Sequence, residues 1–268
     1  MSANKTPMIL ITNDDGIDSP GLIAAAHAVS DLGEIWLAAP STQQSGSGRS
    51  IPMRTSKIHE MHRELNATAV PALSVEGSPA LAVRLALLCF LPRSPDLVIS
   101  GINYGENVGG SVTISGTVGA AIEAASYGVP TLAAALETEP KYHQSQSAEV
   151  DFSVSASFVR RVSQWLLKEG MPRSVDILKL DVPWAARTDT PIRVTRVSRH
   201  PYWVSPVVTD ESGRRRLHGY ERQVDSSTLE PDSDIYALAV DHVVSLSPLT
   251  IDLTARVHLE SLAGLQQL

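Results

Sequence analysis

A single cysteine, Cys89, rules out a disulfide framework within the 268-residue chain. It lies in the apolar stretch Leu85 to Leu91, which reads as a buried thiol. Basic residues are also in the minority, with 22 Lys and Arg against 29 Asp and Glu and a net charge of -7. That balance argues against a surface that coats a polyanion, so any phosphate must be captured locally and no nucleic-acid duplex is expected. No run approaches the roughly 18 apolar residues of a membrane span. The opening Met1 to Pro7 is short and polar, and cytoplasmic residence without membrane contact is the expectation. Among eight histidines only His59 and His62 have metal-like spacing. They sit in a polar stretch and read as surface residues, and with no paired Cys or His a structural zinc site is disfavoured.

What the chain does have is 43% apolar residues, enough for a sizeable core in one large domain or a core with an appendage. Met8 to Thr12, a helical Leu22 to Leu32 closed by Gly33, and Ile35 to Ala39 form a βαβ unit. After an irregular stretch, Ser78 and Pro79 read as N-cap and first residue of a helix over Ala80 to Phe90, followed by a strand from Asp96 to Ser100. A helix at Thr117 to Tyr127 ending in Gly128 and a strand at Thr131 to Leu136 extend the alternation. The fold class is α/β, with a doubly wound, mostly parallel sheet carrying helices on both faces. Further on, Phe152 to Lys168 reads as a helix ending in Gly170, and Val175 to Val182, Ile192 to Val197 and Ile235 to Ser247 as strands. A single domain over 1–268 is expected. It has a core to about 190, a polar hairpin or arm at about 200–232 with a turn at Gly213 to Arg216, and a late strand segment and C-terminal helix beyond.

In an open parallel sheet, ligands bind where loops leave the carboxyl ends of the strands. The first such loop is Asn13-Asp14-Asp15-Gly16 onward. Two carboxylates about 4 Å apart at an effective dielectric near 20 repel by roughly 4 kcal/mol, so a pair aimed inward favours a cation or a shared proton. Asp-Asp-Gly alone is an ordinary turn; at a strand end it becomes a candidate metal site, and oxygen ligands suit magnesium or manganese. The second loop, Pro40 to Ser50, is rich in Ser and Gly. It reads either as a linker or as an anion cradle in which Gly46 permits close backbone approach and Ser45 offers a hydroxyl to a metal or a phosphate oxygen. The third runs from Ser100 through Asn103 and Asn107 to Gly110 and on to Ser115-Gly116-Thr117 at a helix start. That start is an N-cap at least, and its amides, hydroxyls and helix dipole suit a phosphate.

Taken together, Ile9 to Gly21 (ILITNDDGIDSPG), Ala39 to Ile51 (APSTQQSGSGRSI), Ser100 to Asn107 (SGINYGEN) and Ser115 to Glu123 (SGTVGAAIE) closely resemble the SurE family, the survival-protein-E nucleotidases. Asp234 to Thr254, with its Val-Ser-Leu-Ser-Pro-Leu, is similar to the family's late strand segment. The resemblance implies a Rossmann-like core with swapped C-terminal arms in a homodimer or homotetramer. It implies a phosphoric monoester hydrolase acting on nucleoside 5′- and 3′-monophosphates, in some members also on polyphosphate. One divalent ion per subunit, Mg2+ or Mn2+, would be held by Asp14, Asp15, Ser45 and Asn103. Asn107, Ser115, Gly116 and Thr117 would surround the phosphate, with Asp14, Asp15, Asn107, Ser115 and Thr117 as the catalytic set. Two stretches depart from the usual family pattern, Gly77 to Ala82 and Ile114 where a tyrosine is common; they bear on packing or base preference and leave the metal ligands intact.

The expected chemistry is metal-assisted attack of water in line with the leaving group. A covalent route is disfavoured, because Cys89 has no Cys-x5-Arg loop and the acids lack Asp-x-Asp spacing. A non-catalytic nucleotide-binding regulatory module is the alternative. A nicotinamide enzyme ranks last, since two acids stand where a pyrophosphate loop needs glycines.

Overall fold

The computed structural model of the chain describes residues 5–52 and 56–267; residues 1–4 of the polar N-terminus, 53–55, and 268 at the end of the expected C-terminal helix lie outside the described residues. Strand β1 (Met8–Thr12) is buried at every position, as a central parallel strand demands. Helix α1 (Pro20–Val29) begins at a proline whose fixed φ suits the first helical position, and it ends at Val29 instead of reaching Leu32. Strand β2 (Glu34–Pro40) then pairs parallel to β1.

The stretch read as irregular contains a hairpin, β3 (Ile58–Leu65) and β4 (Thr68–Val75). Its turn residues Asn66 and Ala67 both have positive φ, 49° and 61°, the backbone of a type I′ turn without the usual glycine. Charged residues along IHEMHREL blunt this edge strand and hid it from an apolar pattern. Helix α2 (Pro79–Leu85) is capped as expected, Ser78 Oγ accepting from Leu81 N–H at 3.1 Å. A π turn over Ala86–Phe90 then breaks the helical period. It carries Leu88 and Cys89 to the surface, so the thiol expected in the core is exposed.

Strand β5 (Leu97–Tyr104) continues through the segment read as a loop, with a register irregularity between Ser100 and Asn103. Helix α3 (Gly116–Ser126), strand β6 (Thr131–Leu136), helix α4 (Ser153–Glu169), strand β7 (Ile177–Val182) and strand β8 (Ile192–Val194) follow. The arm folds as β9 (Trp203–Val204), β10 (Val207–Thr209), β11 (Arg215–Leu217) and β12 (Glu221–Arg222), an outer hairpin of β10 with β11 on a base of β9 with β12. Ile235, expected to open a strand, lies instead in helix α5 (Asp234–Ala239), because Ser233 Oγ caps it by accepting from Tyr236 N–H. Strand β13 (Val244–Leu249) and a 3-10 segment at Leu259–Gln267 end the described chain.

The nine-stranded sheet has the order β3-β4-β2-β1-β5-β6-β7-β13-β8 and is parallel from β4 to β7. Ile9, Ile11 and Ile99 pack under α1 and α4, while Leu10 and Val98 pack under α2 and α3, as strand alternation requires. The chain leaves β1 toward β2 on one side while β5 lies on the other. The ends of β1 and β5 therefore flank a topological switch point, where an open α/β sheet has its binding crevice.

Candidate active site at the switch point

The cavity at this point measures about 410 Å³ and is lined by Asp14, Ser45, Gly46, Asn103, Asn107, Ser115 and Gly116, among others. Three loops that are distant in sequence are thus brought together. Gln44 N–H donates to Asp14 O at 2.7 Å, tying the second loop to the first, and Gly48 N–H donates to Ile114 O at 3.0 Å, tying it to the entry of α3. Arg49 adds an ion pair to Glu123 of α3 at 2.8 Å.

The two aspartates differ in placement. Asp14 faces the cavity and accepts from Thr117 Oγ1 at 2.5 Å. Asp15 lies behind it, 1% exposed, accepting from Gln43 Nε2 at 2.8 Å and from Tyr104 N–H at 3.3 Å. Burial raises the pKa of Asp14, and burial together with the charge of Asp14 raises that of Asp15 well above the usual carboxylate range. Neither has a cationic side chain to offset its charge among the described residues. Asn103 commits its Nδ2 to Gly105 O at 2.6 Å, which leaves Oδ1 as its ligand atom. Two carboxylates without a cation, an amide oxygen and the Ser45 hydroxyl fit a hard divalent ion. A cluster of three or more His, Cys, Asp or Glu, as zinc would favour, is absent from the described residues.

At the start of α3, Ser115 Oγ accepts from Val118 N–H at 3.1 Å, so its own proton is free to be donated into the cavity. The Thr117 hydroxyl is not free: it is buried, donates to Asp14, and does not line the cavity. Gly116 packs directly on the Asp14 carboxylate, and its N–H has no intrahelical acceptor. Asn107 is held by its backbone, whose N–H donates to Asp181 Oδ1 at 2.7 Å.

The chain matches the family model described as Survival protein SurE over residues 9–203. It belongs to the SurE family. It is 40% identical to the 5′-nucleotidase SurE of Methanosarcina barkeri, covering 96% of this chain and 97% of that protein. It is 42% identical to the 5′-nucleotidase SurE of Thermococcus gammatolerans, covering 95% and 94%. The crystal structure of the SurE protein from Aquifex aeolicus superposes with a TM-score of 0.80 at 28% identity, covering 97% of this chain and all of that one.

Several residues around this SurE site lay outside the sequence reading. His143, Trp203 and Tyr220 line the cavity from segments read as loop and arm. Lys179, Asp181 and Asp234 form a buried charge cluster in which Lys179 pairs with both acids, with Asp234 at 3.2 Å. Asp181 holds Asn107, and Asp234 Oδ2 accepts from Gly109 N–H at 3.1 Å, so the cluster fixes the backbone of the third loop. Its signal was present in ILKLDV: two charged residues at alternate positions of an otherwise apolar strand must share one face and find partners there.

Proposed function

We propose that the chain is a metal-dependent 5′-nucleotidase that hydrolyses nucleoside 5′-monophosphates, and also 3′-monophosphates, to nucleoside and phosphate. The observation that carries this reading is a buried carboxylate pair with no cationic side chain beside it among the described residues, of which Asp14 faces a cavity shared with the N-terminus of α3. A divalent ion held by Asp14, Asp15, Ser45 and Asn103 would supply positive charge to the phosphoryl group and to the attacking water.

The chain's own residues do the rest. Gly116 N–H, at the positive end of the helix dipole, binds a phosphoryl oxygen. Ser115 donates its free hydroxyl proton to a second oxygen, and the Asn107 amide and the Ser45 to Gly46 turn close the cradle. Thr117 acts on Asp14, fixing the carboxylate's orientation and favouring its charged form. As the bond from the water oxygen to phosphorus forms, the ester P–O bond breaks, and the proton the water gives up ends on the nucleoside oxygen. Polyphosphate as a further substrate, Mg2+ or Mn2+ as the ion, one per subunit, and cytoplasmic residence complete the reading. So does assembly as a homodimer or homotetramer with exchanged arms, which the 68% exposure of Leu217 on the arm supports. Among the described residues no helix is long and apolar enough to cross a membrane.

The test is phosphate release over a panel of nucleoside monophosphates, with chelator and with Mg2+ or Mn2+ restored. Release should stop with chelator and return with metal, and Asp14→Asn should abolish it while leaving the fold intact. Chelator-insensitive release, or saturable binding with no release, would defeat the proposal.

A further inference from the structure

Ser45 reaches the cavity from a span with little of its own to hold it. Ser45 and Gly46 are exposed, and a side chain on Gly46 would meet nothing within 4 Å. Their place is therefore set by the two ends of the second loop. The front end is tied to the first loop, Gln43 Nε2 donating to Asp15 and Gln44 N–H to Asp14 O. The rear end is tied to α3, and there the main contacts come from residues that do not line the cavity, Arg49 and Glu123.

Gly116, Gly119, Glu123 and Ser126 follow one another at intervals of three and four, so they share one face of α3. The Asp14 carboxylate rests on Gly116. One turn on, a Cβ on Gly119 would fall 2.1 Å from Gly48 O and 2.7 Å from Arg49 N, so the helix has to be bare there for the second loop to lie on it. The Arg49 side chain then runs on along the same face. Its Nε donates to Glu123 Oε2 at 2.8 Å and its Nη2 to Ser126 Oγ at 2.9 Å. Two donors of one planar guanidinium thus meet two residues a turn apart, a fit that fixes direction as well as distance.

The Glu123 side chain is fully shielded, and a carboxylate so placed needs cations beside it. It has two. Arg84 of α2 donates its Nε to Oε1 at 2.6 Å, and Arg49 takes Oε2. The two arginines do different things. Arg84 joins one helix to another, whereas Arg49 joins α3 to the loop that carries Ser45, four residues away.

We propose that Arg49 is a positioning residue for the reaction. Held by Glu123 and Ser126, it lays the second loop along α3 at the place where Ser45 can share an ion with Asp14. With that anchor gone, the ion has to order the loop as it binds, which weakens metal binding. The proposal rests on the metal-dependent reading above and adds to it a residue outside the cavity. It also accounts for an acid buried two turns along α3 from the phosphate end.

The experiment measures Mn2+ binding to the full-length protein by isothermal titration calorimetry, without substrate, in the parent, in Arg49→Met and in Arg84→Met. Each variant removes one of the two cations on Glu123 and leaves the other, so both should fold, which circular dichroism checks. Arg49→Met should raise the Kd for Mn2+ about tenfold, the lower end of the usual cost of losing a residue that supports a metal ligand. Arg84→Met should leave it unchanged. An unchanged Kd in Arg49→Met overturns the proposal. So does an equal loss in Arg84→Met, which would mean that Glu123 serves the fold as a whole and not the second loop. A second readout needs no metal. In hydrogen exchange, peptides covering residues 41–50 should exchange faster in Arg49→Met than in the parent or in Arg84→Met, and equal rates also overturn the proposal. If the parent binds no Mn2+, the metal reading fails and the exchange comparison still decides whether Arg49 holds the loop.

Discussion

A methyl group on Gly116 would lie 2.6 Å from Oδ2 and 2.7 Å from Cβ of Asp14, closer than Cβ atoms approach their neighbours in real proteins. The first residue of α3 and the cavity-facing carboxylate are therefore fitted to each other, and neither can move without the other. Gly116→Ala must displace Asp14 or the start of the helix. Misplacement by about 1 Å commonly costs a catalytic site about 100-fold, and a loss of that order in kcat/KM is expected, with a higher metal concentration needed for half-maximal turnover. Activity assays over a metal titration, with circular dichroism to confirm folding, check it. Turnover within threefold of the parent would show that the contact is dispensable.

Much of this arrangement was readable before any coordinates, for reasons particular to each part. The buried runs of β1 and β6 are apolar on both faces, which marks central parallel strands, and the acids, glycines and hydroxyls at the strand ends stood out against them. Less legible was anything fixed by long-range pairing. Asp234 reaches Lys179 only because β13 returns antiparallel beside β7 and brings α5 with it, a neighbour relation that no local pattern records. Thr117 read as a phosphate ligand because sequence reports the hydroxyl and not where its proton goes; in the fold that proton goes to Asp14. His143, Trp203 and Tyr220 escaped notice for a similar reason, lying in a loop and on both sides of the arm.

Lys179 is the single cation between two acids, all three side chains almost completely shielded from solvent. Burial works against its ammonium, but the charges of Asp181 and Asp234 more than offset this and hold its pKa above the ordinary lysine value. Removing one partner of a buried ion pair costs about 3–5 kcal/mol, because the other charge is left uncompensated. Lys179→Met should destabilise by that amount, read as a lower denaturant midpoint. Combining it with Asp181→Asn and Asp234→Asn should recover part of the loss, since neutral amides no longer need the ammonium. If the triple variant is no more stable than the single one, the cluster is not acting as a charge-balanced unit.

Glu106 gives the protein a stability term that depends on pH, and its sign follows from its surroundings. The side chain is fully shielded. Oε1 meets Arg222 at 3.1 Å, while Oε2, with the Tyr202 hydroxyl near it, makes no well-formed hydrogen bond among the described residues. Burial pushes its pKa up to about 7 from 4.5, with the neighbouring Tyr202 hydroxyl and, behind it, Arg222 offsetting only part of the effect. Between those two values the folded protein holds a proton that the unfolded chain has released. Stability from this group is accordingly full below pH 4.5, falls as pH rises toward 7, and is level above that. At about 1.4 kcal/mol for each pH unit crossed, the fall amounts to roughly 3 kcal/mol at most. Glu106→Gln keeps an oxygen for Arg222 and cannot ionise, so its stability relative to the parent should rise from pH 5 to about pH 7 and level off by pH 8. Denaturant unfolding at each pH measures the difference. A gap that stays constant over that range would mean the Glu106 carboxylate is as well solvated in the folded protein as in the unfolded chain.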